Sequence, residues 1–382
     1  MKLLRVLLFL LSFSFSLPLF AQTDSCRLRI SLLTCSPGEE LYSTFGHTAI
    51  RVTDSTRGSD VVYNYGTFDD RDPNFYTKFT KGIMLYALSS YSYQEFLQEY
   101  SSEKRGVIEQ VLALNCAEKQ RLSIALQQNA LEQNRYYYYY FHTDNCTTRA
   151  RDMVAQKTGA SVVFKNILPA DHPTWRQLIH TYLDKGGQYW SKLGIDICIG
   201  SNFDKKVTNE QSMFLPDYLM TGFDSAVADN HSLVSEKQVV LPVPAVEQSS
   251  SWFTPTVFFS ALLVIVILLS ISKSKWAERT LNVFDCIFFL FVGLFGVLIT
   301  TLWAIRVDTV CRNNFNVLWA LPTHLPIAFV VYLKRKWIRQ YFRVVLILAA
   351  LLILSKLFIP QQFNLAVVPI LGIIIVRSYF RS

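Results

Sequence analysis

The sequence predicts an α+β domain outside a membrane, followed by an all-α membrane domain. Three features support this: a secretory signal at the N-terminus, short β-like runs alternating with turns after residue 28, and five apolar runs after residue 253. We expect a signal peptide at 1–21, an exported domain at 22–223, a linker at 224–252 and a membrane domain at 253–382.

The first 21 residues have the composition of a secretory signal. Lys2 and Arg5 give a basic start, an apolar stretch follows as far as Phe20, and the small residue Ala21 ends it. The mature chain is therefore expected to begin near Gln22, outside the cytoplasm.

Strand and helix signals follow each other along the exported domain. Strands are expected at 28–34, 45–53, 61–66 and 136–141, and the second and third form a hairpin around a polar turn. Helices are expected at 94–100, after a capping box at 115–118, and at 146–157. The segment from residue 224 to 251 contains prolines and consecutive serines, which predicts an extended connection.

The apolar runs predict five membrane spans, at 253–272, 284–304, 315–333, 344–359 and 364–376. Each run crosses or nearly crosses a hydrocarbon core of ~30 Å. Lys and Arg concentrate in the loops after the first, third and fifth runs. Because positive residues stay on the cytoplasmic side, we expect residues 22–252 to lie outside the cytoplasm and the C-terminus to lie inside it.

The formal net charge of +8 and the pI near 9.0 come from the membrane domain. The three basic loops hold ten Lys or Arg residues and one acid, Glu278. Because this surplus accounts for the whole imbalance, a nucleic-acid partner is not expected.

Seven cysteines are spread over both domains, and five lie in the exported one, at positions 26, 35, 116, 146 and 198. Their wide spacing excludes a zinc site of the CxxC type. If Cys146 is a catalytic thiol and stays reduced, the other four cysteines allow three disulfide pairings, which the sequence does not distinguish.

Two motifs indicate cysteine chemistry. FGHTAIRV places His47 on a predicted strand, and FHTDNCTTR places Cys146 where a tyrosine-rich strand gives way to a helix. A thiol of pKa ~8.5 is mostly protonated at neutral pH, and a helix N-terminus and a nearby imidazole both lower its pKa. Asp144 or Asn145 would cap the helix, leaving backbone amides free to hold an oxyanion.

A lone cysteine is more often a buried structural thiol, but the polar neighbours of Cys146 favour a nucleophile. His47 is the preferred base, and His142, four residues before Cys146, competes for the role of base or third member. Three further residues are candidates for orienting the base or binding substrate: Asn64, Asn145 and Arg149.

The third apolar run is unexpectedly polar. It includes or adjoins Asn313, Asn314, Asn316, Trp319, Pro322, Thr323 and His324. Inside a bilayer such groups are costly unless they face other helices or a wet cavity. A functional role and helix-to-helix hydrogen bonding are therefore equal alternatives.

Five strings together resemble a known family: FGHTAIRV, VVYNYGTFD, FHTDNCTTRARD, LGIDICIGSNFDKKVTNEQSMFLPDYLM and NVLWALPTH. A His-bearing strand followed much later by Asn-Cys at a helix start resembles the circularly permuted branch of the papain-like NlpC/P60 superfamily, which includes lecithin:retinol acyltransferase-like enzymes. More closely, the set resembles the Bacteroidota lipoprotein N-acyltransferase family over most of residues 28–330. The resemblance implies a circularly permuted papain-like catalytic domain in the periplasm, followed by a domain with five transmembrane helices in the bacterial inner membrane.

The resemblance also implies an activity, a ping-pong acyl transfer without metal or cofactor. Cys146, aided by His47, would take an acyl chain from a membrane phospholipid and pass it to the α-amine of a diacylated lipoprotein. Two alternatives stay open: a membrane-anchored cysteine peptidase or amidase of the same superfamily acting on cell-wall peptides, and a non-enzymatic envelope binding or assembly protein.

Overall fold

The computed structural model describes residues 26–68, 71–243, 252–355 and 358–382. The predicted signal peptide at 1–21 lies outside the described residues. The described chain forms a mixed α+β domain followed by a helical region that begins at Pro255, as the sequence predicts.

A seven-stranded antiparallel sheet forms the frame of the first domain, in the order β10-β5-β1-β2-β3-β4-β6. Its strands are β1 (Leu28–Cys35), β2 (His47–Asp54), β3 (Ser59–Thr67), β4 (Leu85–Ser92), β5 (Val107–Leu112), β6 (Tyr136–Tyr138) and β10 (Val234–Leu241). A smaller sheet joins β7 (Val162–Val163), β8 (Val227–Ala228) and β9 (His231–Ser232). The predicted hairpin is present, because β2 pairs with β3.

Helices cover both faces of the large sheet. The helices of the domain are α1 (Phe75–Lys81), α2 (Tyr93–Ser102), α3 (Cys116–Asn129), α4 (Cys146–Lys157), α5 (Trp175–Lys185), α6 (Tyr189–Cys198), α7 (Asn209–Ser212) and α8 (Pro216–Ser225). Ile30 and Leu32 of β1 pack with residues of α3, α4 and α8, whereas Leu33 and Cys35 pack with residues of α2. Since successive strand residues point to opposite faces, β1 is buried without interruption from Ile30 to Cys35.

The structure corrects the predicted linker and one strand. Residues 234–241 form β10, an edge strand that pairs with β5, so the domain extends past residue 223. The strand is hard to recognise because its side chains are mostly exposed and two of them, Glu236 and Lys237, are charged, as is common at a sheet edge. The predicted strand at 136–141 ends at Tyr138.

One disulfide, between Cys26 and Cys116, ties the start of the described chain to the start of α3. Cys35, Cys146 and Cys198 are free thiols. Of the pairings left open by the sequence, the structure therefore contains only the bond between Cys26 and Cys116 in the part of the chain that it describes.

The second region is built from α9 (Pro255–Ile271), α10 (Lys275–Ile305), α11 (His324–Ala328), α12 (Lys336–Leu354) and α13 (Val367–Arg381). Among the described residues, α10 and α12 are long and apolar enough to cross a membrane, and α9 is a shorter apolar helix. The predicted third span at 315–333 is not one helix, because only a 3₁₀ turn at Phe315–Leu318 and the five residues of α11 are helical there. Pro322 and Pro326, which cannot donate backbone hydrogen bonds, interrupt this segment.

The polar residues of this broken segment join the two regions. Asn314 donates to the carbonyls of Ile197 and Cys198 at the end of α6, at 2.7 and 2.9 Å, and Asn316 donates to the carbonyl of Asp196 at 2.9 Å. These bonds satisfy helix-end carbonyls that would otherwise be buried without partners. Asn314 and Asn316 therefore hold the first domain against the membrane region.

An ion-pair network strengthens the same joint. Arg176 is fully buried and contacts Asp196 at 2.7 Å and Asp204 at 2.8 Å. The second carboxylate oxygen of Asp196 accepts from Asn364, which precedes α13. His324 lies elsewhere, hydrogen bonded to the hydroxyl of Tyr341 on α12 at 2.8 Å.

Candidate active site

Cys146 is the first residue of α4, and Asn145 caps the helix. The Asn145 side-chain oxygen accepts from the amides of Thr147 and Thr148, both at 2.9 Å. Its side-chain nitrogen donates to the carbonyls of Phe141 and Phe214. Asn145 is therefore the cap, rather than Asp144, and it fixes the sulfur at the positive end of the helix.

His47 begins β2, the strand against which α4 packs, and its imidazole is hydrogen bonded to the Cys146 thiol. The other side of the ring is held by Asn64 of β3, whose side-chain oxygen accepts from Nε2. Asn64 is itself fixed by donating to the hydroxyl of Tyr91 at 2.9 Å. Since Nε2 is occupied by Asn64, Nδ1 is the ring nitrogen available to the sulfur.

The surroundings of Cys146 lower the pKa of its thiol to about 7. Burial raises this pKa, but the charge of the His47 imidazolium and its hydrogen bond outweigh burial. Hydrogen bonds from the backbone amide of Thr48 and the hydroxyl of Thr147 lower the pKa further. The thiol is thus poised to ionise near neutral pH.

The pKa of the partner imidazole, His47, shifts in the opposite direction. Burial lowers the pKa of His47, but the charge and hydrogen bond of Cys146 and the hydrogen bond to Asn64 outweigh it and raise this pKa above its usual value. A raised imidazole pKa and a lowered thiol pKa favour a thiolate–imidazolium pair. This pair supplies both a nucleophile and a proton donor.

The first turn of α4 offers fewer free amides than the sequence suggests. Thr147 and Thr148 use their amides on the Asn145 cap. The amide of Cys146 itself makes no hydrogen bond to a described residue, so it is the donor in this turn that is left for a developing oxyanion.

His142 does not join this group. Its ring packs against Trp175 and Phe203, with ring centroids 4.9 Å apart in both cases. Burial lowers the pKa of His142 to about 4, and its Nδ1 has no hydrogen-bond partner in the described structure. In the described structure the His142 imidazole is therefore a buried, neutral member of an aromatic cluster.

Arg149 is held by partners other than the thiol. Its guanidinium forms a bidentate ion pair with Asp144, with N–O distances of 2.6 and 2.8 Å, and lies 3.7 Å from the centre of the Tyr137 ring. These contacts stabilise the loop that precedes α4.

Two features near the thiol were not singled out from the sequence. Gly66 has φ of +97° at a bulge in β3, and a methyl group added there would lie 3.5 Å from Cβ of Cys146 and 3.9 Å from Cε1 of His47. Tyr86 and Tyr139 lie close enough for the charge of Cys146 to raise their pKa values, although burial is the larger cause. The tyrosine run at 136–140 was a visible signal, but it indicates strand propensity as readily as a site.

The described residues contain no group of three side chains that could hold a metal ion. The groups that meet at Cys146 are a thiol, an imidazole, an amide side chain and backbone amides. Such a set carries out nucleophilic substitution at a carbonyl carbon.

Two family models match the chain. A model described as the Lnb N-terminal periplasmic domain matches residues 18–181, and one described as the Lnb transmembrane domain matches residues 247–382. No curated protein and no solved structure gives a match. The two matches, in this order, indicate an inner-membrane protein whose first domain lies in the periplasm and contains both His47 and Cys146.

Proposed function

The chain belongs to the Lnb lipoprotein N-acyltransferase family, and on that premise we propose that it acylates the N-terminus of lipoproteins. The acyl chain would come from a membrane phospholipid, pass through a thioester on Cys146, and reach the α-amine of a diacylglyceryl-cysteine. The observation that carries this proposal is the hydrogen-bonded pair of Cys146 and His47, in which the pKa of the thiol is lowered to about 7.

In the first half-reaction the Cys146 thiolate attacks the ester carbonyl carbon of the phospholipid. The new carbon–sulfur bond places negative charge on the carbonyl oxygen, where the amide of Cys146 is available to donate. When the tetrahedral intermediate collapses, the carbon–oxygen bond to glycerol breaks and the His47 imidazolium gives its proton to the leaving oxygen. The products are a thioester and a lysophospholipid.

In the second half-reaction the neutral α-amine of the acceptor attacks the thioester carbonyl. His47, now neutral, takes a proton from the attacking nitrogen, and the carbon–sulfur bond breaks to restore the Cys146 thiolate. The product is an amide. Cys146 is only 9% exposed, which favours this outcome because water would otherwise hydrolyse the thioester.

The joint between the two regions supports the choice of lipid substrates. Asn314 and Asn316 tie the end of α6 to the membrane region, which supports a site that works on substrates held in the membrane. Donor and acceptor are both anchored in that bilayer, and orienting the reacting groups on one rigid frame removes much of the entropic barrier.

Mass spectrometry of lipoprotein N-termini tests the proposal. Cells that express only Cys146→Ala are expected to accumulate lipoproteins lacking the N-linked acyl chain, whereas Cys35→Ala cells retain it. Cys35 is the matched control because it is also a buried free thiol.

Other outcomes would overturn the proposal. Unchanged N-acylation together with altered cell-wall peptides in Cys146→Ala cells would favour a peptidase or amidase. No change in either product would favour a binding or assembly protein.

A further inference from the structure

A row of aromatic rings leads from the thiol to the membrane region. The ring of Tyr139 stacks on Tyr86 with centroids 4.2 Å apart, and Tyr86 stacks on Phe68 at 5.1 Å. Phe68 lies 6.0 Å from Phe75, and Phe75 lies 6.4 Å from Phe79. We call these five residues the aromatic strip.

The near end of the strip adjoins the reacting atoms. Tyr86 and Tyr139 pack against the buried cluster that contains Cys146. Phe68 follows by two positions the bulge residue Gly66, where an added methyl group would lie 3.5 Å from Cβ of Cys146. An acyl group attached to the sulfur would therefore meet these rings first.

The far end of the strip is fixed to the membrane region. Arg306, the first residue after α10, donates to the carbonyl of Phe79 at 2.9 Å, and the amide of Val307 donates to the carbonyl of Lys81 at 2.9 Å. These two hydrogen bonds, one from the Arg306 guanidinium and one from the Val307 backbone amide, hold α1 beside the end of an apolar helix that is long enough to cross a membrane.

The aromatic strip is unusual because the end that lies on α1, Phe75 and Phe79, is not covered by a hydrophobic core. Helix α1 has no buried residue although its sequence is FYTKFTK, and Phe79 is 57% exposed. A contiguous exposed aromatic surface marks an interaction site, and aromatic side chains favour the boundary between lipid and water. Its continuity with the thiol at one end and the membrane region at the other indicates a lipid tail as the occupant.

We propose that the aromatic strip holds the acyl chain that is transferred, from the donor phospholipid through the thioester stage. This inference rests on the proposed function and adds the binding surface for its donor. The donor chain is chosen over the lipid tails of the acceptor because the strip begins at the sulfur, to which only the transferred chain becomes bonded.

The test compares two donors on the full-length protein in detergent, with acylation of Cys146 measured by peptide mass spectrometry. The donors are dipalmitoyl phosphatidylethanolamine, whose acyl chains are long, and dihexanoyl phosphatidylethanolamine, whose acyl chains are short. The Phe75→Ser, Phe79→Ser double variant is expected to acylate Cys146 about tenfold more slowly with the long-chain donor, because two apolar contacts are lost. Its rate with the short-chain donor is expected to stay within about twofold of wild type.

The short-chain donor also reports whether the double variant is folded and active. Tyr138→Ser is the matched control, because Tyr138 is exposed and neighbours Tyr139 on the chain but makes no ring contact with the strip among the described residues. This control should keep the wild-type rates with both donors. Equal rates for the double variant and wild type with the long-chain donor, or an equal loss with both donors, would overturn the role of the strip. If the wild-type protein acylates Cys146 from neither donor, the proposed function itself fails.

Discussion

Cys35 at the end of β1 and Cys146 at the start of α4 are two buried thiols whose pKa values move in opposite directions. Burial raises the pKa of Cys35 to about 12, although Arg105 and Tyr100 act against it. Burial also raises the pKa of Cys146, but there the His47 imidazolium and the hydrogen bonds outweigh burial and bring the pKa to about 7. Burial alone therefore does not identify a structural cysteine. The charged and hydrogen-bonding partners of the sulfur determine whether its pKa is raised or lowered.

The backbone explains why these partners differ. Cys35 lies within the β1–β2 ladder opposite His47 and packs with Phe96 and Tyr100 of α2. Cys146 lies at a helix N-terminus, where the peptide dipoles favour a negative charge. A strand end supplies no comparable field, so the same side chain stays protonated there.

The largest expected effect is the difference in reactivity between the two thiols. At pH 7 about half of Cys146 is thiolate, whereas the thiolate fraction of Cys35 is about 10⁵-fold smaller. Because a lowered pKa keeps the thiolate down to that pKa, alkylation of Cys146 should be lost as the pH falls through about 7. Iodoacetamide labelling across this range, followed by peptide mass spectrometry, measures both residues. Labelling of Cys35 at a comparable rate, or a Cys146 midpoint near the ordinary pKa, would contradict the comparison.

Removing His47 should raise the pKa of the Cys146 thiol and make it less reactive, as Cys35 is. His47→Ala is expected to slow acyl transfer by about 10²–10⁴-fold and to raise the midpoint of Cys146 alkylation, since the main groups that lower its pKa are gone. Acyl transfer is measured by N-terminal mass spectrometry and the midpoint by alkylation.

The matched control for His47 is His142→Phe. It keeps an aromatic ring beside Trp175 and Phe203 and removes a buried nitrogen that has no partner in the described structure. Activity and the Cys146 midpoint should therefore remain near wild type. A large loss of activity in His142→Phe, with His47→Ala active, would move the base to His142.

The sequence contains more information about the site than about the sheet that carries it. Cys146 at a helix start and the neighbouring His47 follow from short motifs, because capping and strand signals are local. The sequence leaves the surroundings of His47 and His142 open, because only the fold shows that the ring of His142 lies in an aromatic pocket. Strand β10 and the broken third span were missed because edge strands and polar membrane joints carry weak periodicity.

Asn64 should have an intermediate effect, since it orients the base without touching the sulfur. Asn64→Ala removes the acceptor for Nε2 of His47, and the freed ring is expected to slow acyl transfer by about 10²-fold. Asn64→Asp keeps an acceptor oxygen and should recover most of the rate. The alkylation midpoint of Cys146 is measured in parallel, because a purely structural role would lower the yield of folded protein without changing this midpoint. Failure of Asn64→Asp to exceed Asn64→Ala would exclude an orienting role.

The smallest effect is expected for variants of Asn145, the N-cap residue of α4. The comparison with Cys35 at a strand end predicts that this cap contributes to holding Cys146 in place. Asn145→Ala loses the acceptor for the amides of Thr147 and Thr148 and also the donors to Phe141 and Phe214. Loss of the cap alone costs ~1–2 kcal/mol of stability. Asn145→Ser retains a cap acceptor but loses both donors, so it separates the two contributions. We expect the melting temperature of the full-length protein in detergent to fall in the order wild type, Asn145→Ser, Asn145→Ala. Equal melting temperatures for the two variants would mean that the carbonyl contacts, rather than the cap, fix the position of Cys146.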